Sequence, residues 1–210
     1  MYSFNPMTLT NPSHNWEEEE AENPIGCTAW VYNSLTKEVT VLRTVETADD
    51  EKAPWYCIRR DIKSAVLGDG VTSISNRAFC RCKRLKAVQI SKSVTSIGKK
   101  AFSHCQRLKS IAIPDSVEII GNGAFTECAF PSIKIPRSVV SFGGNPFVSF
   151  YYCDPYHERW VIKEINISEN PNFVFVDEVL MDRKKTQIIY CSISKTGDYS
   201  IPNTVTTICT

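Results

Sequence analysis

The sequence predicts a repeat solenoid, in which coils of about 23 residues stack along one axis and share a parallel β-sheet. Two observations support this prediction: four segments align with one another, and a cysteine follows three of them at a fixed offset. Successive phenylalanines that end the segments are 23, 23 and 22 residues apart, so the repeat keeps its phase. The aligned segments are Gly70–Phe79, Ser93–Phe102, Ser116–Phe125 and Ser138–Phe147.

Each repeat also carries apolar residues at the period of a β-strand. Val88 and Ile90 lie two residues apart, so they share one face of a short strand. Because the same strand recurs one repeat later, we expect neighbouring strands to be parallel and to form one long sheet. The solvent-facing positions of that sheet are mostly small and uncharged, and we select three of them as candidate partner-binding residues: Gln89, Lys134 and Asn166.

The phenylalanines and cysteines are predicted to form two buried columns along the solenoid axis. One coil is too small to enclose its own core, so each ring would pack on the ring of the preceding coil. The thiols would act as small apolar side chains. The predicted structural columns are Phe79, Phe102, Phe125 and Phe147, and Cys82, Cys105 and Cys128.

The full pattern, L-x-x-I-x-I-P-x-S-V-x-x-I-G-x-x-A-F-x-x-C, resembles the 23-residue leucine-rich repeat of the BspA type, also called the Treponema pallidum type. The stretch from Trp30 to the first repeat is similar to the β-rich segment that precedes such repeats. The stretch after Asn170 is similar to a longer variant repeat that contains a hairpin. The resemblance implies a right-handed β/α-type coil, and a non-enzymatic role in protein–protein or adhesion-like contact at the cell surface.

These patterns divide the chain into five segments. Residues 1–26 are predicted to be a mobile acidic tail, because they are rich in Asn, Pro, Thr and Glu and lack apolar periodicity. The other four segments are a β-hairpin N-terminal cap over 27–61, regular leucine-rich repeats over 62–147, an aromatic insert over 148–160, and a variant repeat with a hairpin and an incomplete last repeat over 161–210.

Composition excludes several classes of protein and leaves the location open. The net charge is +1, which gives no global reason to expect a nucleic-acid partner, and no apolar run is long enough to insert into a membrane. We expect a cell-surface or extracellular location from the family resemblance. The first 25 residues contain no signal-peptide pattern, and the odd number of cysteines is compatible with a reducing compartment, so a cytoplasmic location is the alternative.

Cysteine and histidine spacing suggests a zinc site or a cysteine nucleophile, and we consider both. The in-phase cysteines lie about one coil apart, so they do not converge on one ion as zinc ligands must. His104 and Cys105 are adjacent in sequence, and neighbouring side chains on a turning backbone normally point apart. We therefore predict no metal, no cofactor and no catalytic residues.

The stretch from Arg77 to Lys109 contains ten cations and no carboxylate. The repeat phase arranges these charges in stripes, which would suit a polyanion. A solvated outer face is the simpler interpretation, because the stretch lacks the interleaved aromatic residues on which nucleic-acid bases stack.

The aromatic insert supplies a further candidate contact site. Tyr151 and Tyr152 are consecutive, so at most one of them can enter a core, and Asp154 followed by proline favours a turn that would hold Tyr156 outward. We predict that Tyr151, Tyr152 and Tyr156 contact a protein or glycan partner. In the alternative, the chain is an intracellular scaffold that assembles through its uncapped C-terminal edge, where Val205–Ile208 begins another repeat.

Overall fold

The computed structural model describes residues 29–45, 53–147, 162, 164–192 and 198–209. These residues form a parallel-strand β-solenoid of about six turns, which confirms the predicted fold class. The predicted tail over 1–26 and the aromatic insert over 148–160 lie outside the described residues.

The strands are short, as the repeat length requires. In chain order the described residues contain β1 (Trp30–Asn33), β2 (Glu38–Arg43), β3 (Ser64–Gly70), β4 (Ser73–Ile74), β5 (Ala87–Ile90), β6 (Ser96–Ile97), β7 (Ile119–Ile120), β8 (Ser132–Lys134), β9 (Ser141–Phe142), β10 (Glu164–Asn166), β11 (Phe173–Val176), β12 (Val179–Asp182), β13 (Gln187–Cys191) and β14 (Thr207–Ile208). They form four sheets with the orders β1-β2-β3-β5, β4-β6-β7-β9, β10-β8 and β11-β12-β13-β14.

The first sheet starts with a hairpin and continues as the solenoid. β1 pairs antiparallel with β2, and β2 then pairs in parallel with β3. Alternation buries Val39 and Val41 of β2 in the core. β3 pairs in parallel with β5, with Val66 opposite Gln89. The second strand of the hairpin is therefore also the first rung of the parallel ladder.

The expected single long sheet is interrupted at the third coil. Residues 109–113 form no strand, so β5 and β8 belong to separate sheets. Pro114 occupies the position at which Ser91 donates its N–H to the Leu67 carbonyl (3.1 Å), and proline has no N–H to donate. The side chains nevertheless keep their phase, since Ile111 and Ile113 pack partly buried against the core.

The return path of each coil forms a second parallel sheet, which the sequence pattern did not predict. Its two-residue strands each end on a buried apolar residue: Ile74, Ile97, Ile120 and Phe142. Adjacent coils approach so closely here that a Cβ added at Gly98 would lie 2.7 Å from the Asn76 nitrogen. The glycine of the repeat is thus needed for coil-to-coil contact.

The third side of each coil is a series of tight turns rather than an α-helix. The Phe79 N–H donates to the Ala101 carbonyl of the next coil, and the Arg81 N–H donates to the Ser103 carbonyl, both at 2.7 Å. The Cys80 N–H, between these two donors, bonds three positions back within its own coil, to the Arg77 carbonyl (3.0 Å). Among the described residues the one helical element is a 3₁₀ turn over Tyr56–Ile58. Backbone bonds therefore join successive coils on this side as well as in the two parallel sheets.

A column of stacked phenylalanines fills the centre. The Phe79 and Phe102 rings lie 5.4 Å apart and 2° from parallel, and the Phe102 and Phe125 rings lie 6.0 Å apart at 7°. Phe147 continues the column 6.1 Å beyond Phe125. Trp55 extends it at the other end, stacking 5.3 Å from Phe79. The repeat pattern did not reveal the role of Trp55, because this residue precedes the first recognisable repeat.

The in-phase cysteines form a second buried column beside the rings. The Cys105 thiol donates to the Phe79 carbonyl (3.2 Å), and the Cys128 thiol donates to the Phe102 carbonyl (3.1 Å). Burial raises the pKa of the Cys82 thiol to about 12, and it raises the pKa of Cys105 well above its usual value. The Cys82 and Cys105 thiols therefore stay protonated. The Cys105 and Cys128 thiols each join their own coil to the preceding one.

The C-terminal part contains the hairpin-rich variant of the repeat. β11, β12 and β13 pair antiparallel, and β14 pairs in parallel with β13. Val179, Met181 and Ile188 form a small second core, against which Tyr199 and Val205 pack.

Candidate functional site

The solvent face of the parallel strands holds three of the predicted contact residues. Gln89 is exposed between half-buried Val88 and Ile90. Lys134 and Asn166 are exposed register partners on β8 and β10, whose central residues are buried. Exposed and inward-packed residues alternate along these strands, so the packed residues hold the backbone in place while the exposed side chains point into solvent.

The structure brings only two of these three residues together. Lys134 lies beside Asn166 and forms an ion pair with Glu169 (3.0 Å). Gln89 lies opposite Val66, two coils away from Lys134, and the coil without a strand lies between them. The predicted insert residues Tyr151, Tyr152 and Tyr156 lie outside the described residues.

A basic groove of about 820 Å³ runs across successive coils on the turn that leads into the first sheet. Most of its cations belong to the stretch from Arg77 to Lys109, for which the sequence favoured a solvated outer face. The side chains that line it are Arg59, Arg60, Asp61, Arg81, Lys83, Arg84, His104, Gln106 and Glu127. We call this surface the basic groove.

The repeat phase explains how the groove is assembled. Arg60, Lys83 and Gln106 are 23 residues apart, so they follow one another along the solenoid axis. Arg81, His104 and Glu127 form a second file with the same spacing, and each has the left-handed backbone conformation, with φ of 63°, 61° and 55°. Both files could have been found in the sequence from the 23-residue phase. They were not found from the basic stretch between Arg77 and Lys109, because that stretch includes neither Arg60 nor Glu127.

The groove has a strongly cationic end. Five cations and two carboxylates line the groove as a whole. The one direct ion pair between these cations and carboxylates joins Arg84 to Asp61 (3.4 Å); it is exposed to solvent and therefore weak. No carboxylate of the described residues lies within 4.0 Å of the charged groups of Arg60, Arg81 or Lys83.

Arg59 is the most constrained of the five cations. Its guanidinium donates to the Tyr56 carbonyl (2.7 Å) and lies over the Tyr56 ring, 3.7 Å from the ring centre. This arrangement fixes the Arg59 side chain in one wall of the groove and occupies one face of the tyrosine ring.

The other end of the groove contains a buried carboxylate, that of Glu127. His104 Nδ1 lies 2.5 Å from Glu127 Oε2, and the Glu127 side chain is 2% exposed. The second carboxylate oxygen of Glu127, Oε1, is buried and has no hydrogen-bond partner among the described residues. Because His104 contacts Glu127 and the Cys105 thiol contacts a backbone carbonyl, the two neighbours are not arranged as a base and a nucleophile.

The described part of the chain contains neither a metal-binding cluster nor a membrane-spanning helix. No group of three or more His, Cys, Asp or Glu residues there could hold a metal ion. No helix in the same residues has the length and apolar character needed to cross a membrane.

Comparison with known proteins agrees with this architecture. The family model for the BspA type leucine-rich repeat region matches residues 57–182 with six copies. No curated protein matches the chain. Among solved structures, a leucine-rich repeat protein from Eubacterium ventriosum is 26% identical with a TM-score of 0.57, and the match covers 82% of this chain and 51% of that one.

A second solved structure shows the same fold at lower identity. The pneumococcal vaccine antigen PcpA is 20% identical with a TM-score of 0.53, and the match covers 87% of this chain and 50% of that one. The chain thus spans about half the length of the solved structures to which it is similar.

Proposed function

Because the chain belongs to the BspA-type leucine-rich-repeat family, we propose that it is a non-enzymatic binding module that makes adhesion-like contact with a protein at the cell surface. The observation that carries the proposal is the solvent face of the parallel strands. Gln89, Lys134 and Asn166 are exposed there, on strands whose alternate residues are packed inward. A backbone that is held by its inward-packed residues favours binding, because little backbone conformational entropy is lost when a partner docks.

A photo-cross-linking experiment tests this face. The photoreactive amino acid benzoylphenylalanine replaces Gln89, or it replaces Val140 as a control, which directly precedes β9 of the second sheet and is 58% exposed. Each protein is incubated with cultured animal cells whose surface proteins carry biotin, and is then irradiated. We expect a discrete biotinylated adduct from position 89 that the unlabelled parent protein competes away, and none from position 140. Equal adducts from both positions, or none from either, would contradict the proposal.

The aromatic insert is proposed as a second part of the contact surface. Exposed tyrosines combine a large contact area with a polar group, which is why they are common in binding hot spots. Replacing Tyr152 and Tyr156 with alanine should leave the melting temperature nearly unchanged and reduce the yield of the adduct formed at position 89. A large fall in melting temperature with the adduct yield unchanged would assign both rings to the core.

A second candidate function, intracellular scaffolding, is supported by the exposed apolar surface of β14. Ile208 is 55% exposed, whereas Ile120, the residue in the same phase of an inner coil, is fully buried. Self-association through this face would bury that apolar surface. Sedimentation velocity should then show concentration-dependent dimers that Ile208→Lys abolishes and Thr95→Lys, on an inner coil, does not. A monomer at all concentrations would eliminate this candidate.

A further inference from the structure

We propose that the basic groove binds an acidic polysaccharide, with its anionic groups at the Arg60 and Lys83 end and a sugar hydroxyl at the Glu127 end. This site is separate from the solvent face of the strands, and the inference does not depend on the protein contact proposed there.

The shape of the groove favours an extended ligand. Its lining residues come from four successive coils, and adjacent strands in a sheet are about 4.8 Å apart, so the groove extends over about 14 Å along the axis. Arg60, Lys83 and Gln106 present one side chain per coil along this length. A chain with polar groups at regular intervals can contact each of them in turn.

The charge of the groove selects an anion. The whole chain carries a net charge of only +1, yet five cations line this one groove beside two carboxylates. Three of those cations, Arg60, Arg81 and Lys83, have no described carboxylate within 4.0 Å. Guanidinium groups form paired hydrogen bonds with sulfate and carboxylate oxygens, so both anionic groups of acidic polysaccharides fit this end.

The Glu127 end distinguishes a saccharide from other polyanions. A buried carboxylate oxygen without a partner is costly, and Glu127 Oε1 is such an oxygen. A hydroxyl donor would satisfy it, and acidic polysaccharides carry hydroxyls next to their charged groups. A polyphosphate or a DNA backbone offers anions without hydroxyls. The groove-lining residues also include no Phe, Tyr or Trp ring on which a base could stack.

Direct binding measurements test the cationic end. Fluorescence anisotropy is recorded with labelled oligosaccharides of heparin, which is sulfated, and of hyaluronan, which carries only carboxylates, and with polyphosphate and polyglutamate. We expect at least one saccharide to bind more tightly than both non-saccharide polyanions, and the preferred saccharide identifies the anionic group. Binding of neither saccharide, or tighter binding of polyphosphate or polyglutamate, overturns the proposal.

A charge-matched pair of variants locates the site. Arg60→Gln/Lys83→Gln should weaken binding of the preferred saccharide by about tenfold or more, because each cation contributes a charged hydrogen bond. Lys92→Gln/Lys99→Gln removes the same charge from exposed positions outside the groove, and should change the affinity by less than about twofold. Equal losses in the two double variants would overturn the proposal.

Glu127→Gln should change the affinities for polyphosphate and for the saccharide in opposite directions. Removing a negative charge from a cationic groove should tighten the binding of polyphosphate, which only needs positive charge. The same substitution should weaken saccharide binding by about fivefold, because the hydroxyl loses a charged acceptor. Melting temperatures measured in parallel identify the folded fraction, to which the affinities are normalised. Tighter binding of both ligands would contradict the role of the hydroxyl.

Discussion

Phe102 lies at the centre of the stacked column, and Phe102→Ala tests how the solenoid is held together. The ring is fully buried, and it stacks on Phe79 at 5.4 Å and on Phe125 at 6.0 Å. Backbone bonds on the neighbouring coils hold both of those rings in place; Phe79 N–H, for example, donates to the Ala101 carbonyl. The cavity left by the missing ring therefore cannot close by local collapse.

The expected loss follows from this geometry. Removing a core phenylalanine costs about 3–5 kcal/mol, and poor relaxation places a site at the upper end of that range. We therefore expect a loss of about 4–5 kcal/mol, which is a large fraction of the stability of an ordinary domain. Phe102→Leu, which fills most of the space, should cost less than half as much.

Urea unfolding followed by tryptophan fluorescence measures the loss, and hydrogen exchange locates it. Val140→Ala, at a residue that is 58% exposed, is the surface control and should change the unfolding free energy by less than about 0.5 kcal/mol. Because coils interact with nearest neighbours, the amides of Phe79 and Phe125 should lose protection before that of Val179. A loss below about 1 kcal/mol, or uniform loss of protection along the chain, would refute the reasoning.

Three further predictions concern the contacts between coils. Gly98→Ala should destabilise the protein by about 2 kcal/mol or more in urea unfolding, because the new Cβ would lie 2.7 Å from backbone atoms. Gly143→Ala, whose nearest contact is at 3.5 Å, should cost less than about 1 kcal/mol, and equal losses would contradict the coil spacing. A thiol reagent should label exposed Cys57 at once and buried Cys105 only in denaturant, and site-resolved mass spectrometry would expose the reverse order. Burial raises the pKa of Cys82 to about 12 in the folded state, whereas the thiol of the unfolded chain deprotonates near pH 9. The unfolded chain therefore binds fewer protons than the folded chain above pH 9, so the free energy of unfolding should fall from pH 9 towards pH 12. Cys82→Ala should flatten this fall in pH-dependent urea unfolding, and Cys57→Ala should not; identical slopes would contradict the burial of Cys82.

Sequence reasoning worked best where one residue type recurs with the phase of the repeat. The phenylalanine and cysteine positions could be read directly, because a column needs the same residue in every coil. The hydrogen bond from the Cys105 thiol to the Phe79 carbonyl could not be predicted, because it joins positions 26 residues apart through a backbone group that no sequence pattern reveals.

The remaining differences have specific physical causes. The second sheet has strands of two residues, too short to leave an alternating pattern. The first sheet breaks at the third coil, where side-chain periodicity continues past Pro114 although one backbone donor is missing. The basic groove was missed because a linear count of charges leaves out Arg60 and Glu127, which the 23-residue phase places in one file with Lys83 and in one file with Arg81, respectively.

The central claim is that residues 23 apart lie side by side, since this register builds both the solvent face of the strands and the basic groove. Val66→Cys/Gln89→Cys places two thiols on register partners of β3 and β5, about 4.8 Å apart along the axis. Gln89→Cys/Thr95→Cys places them six residues apart on different sides of the coil. With a short thiol-to-thiol cross-linker and mass-spectrometric mapping, the first pair should cross-link rapidly and the second should not. Cross-linking of the second pair without the first would contradict the account.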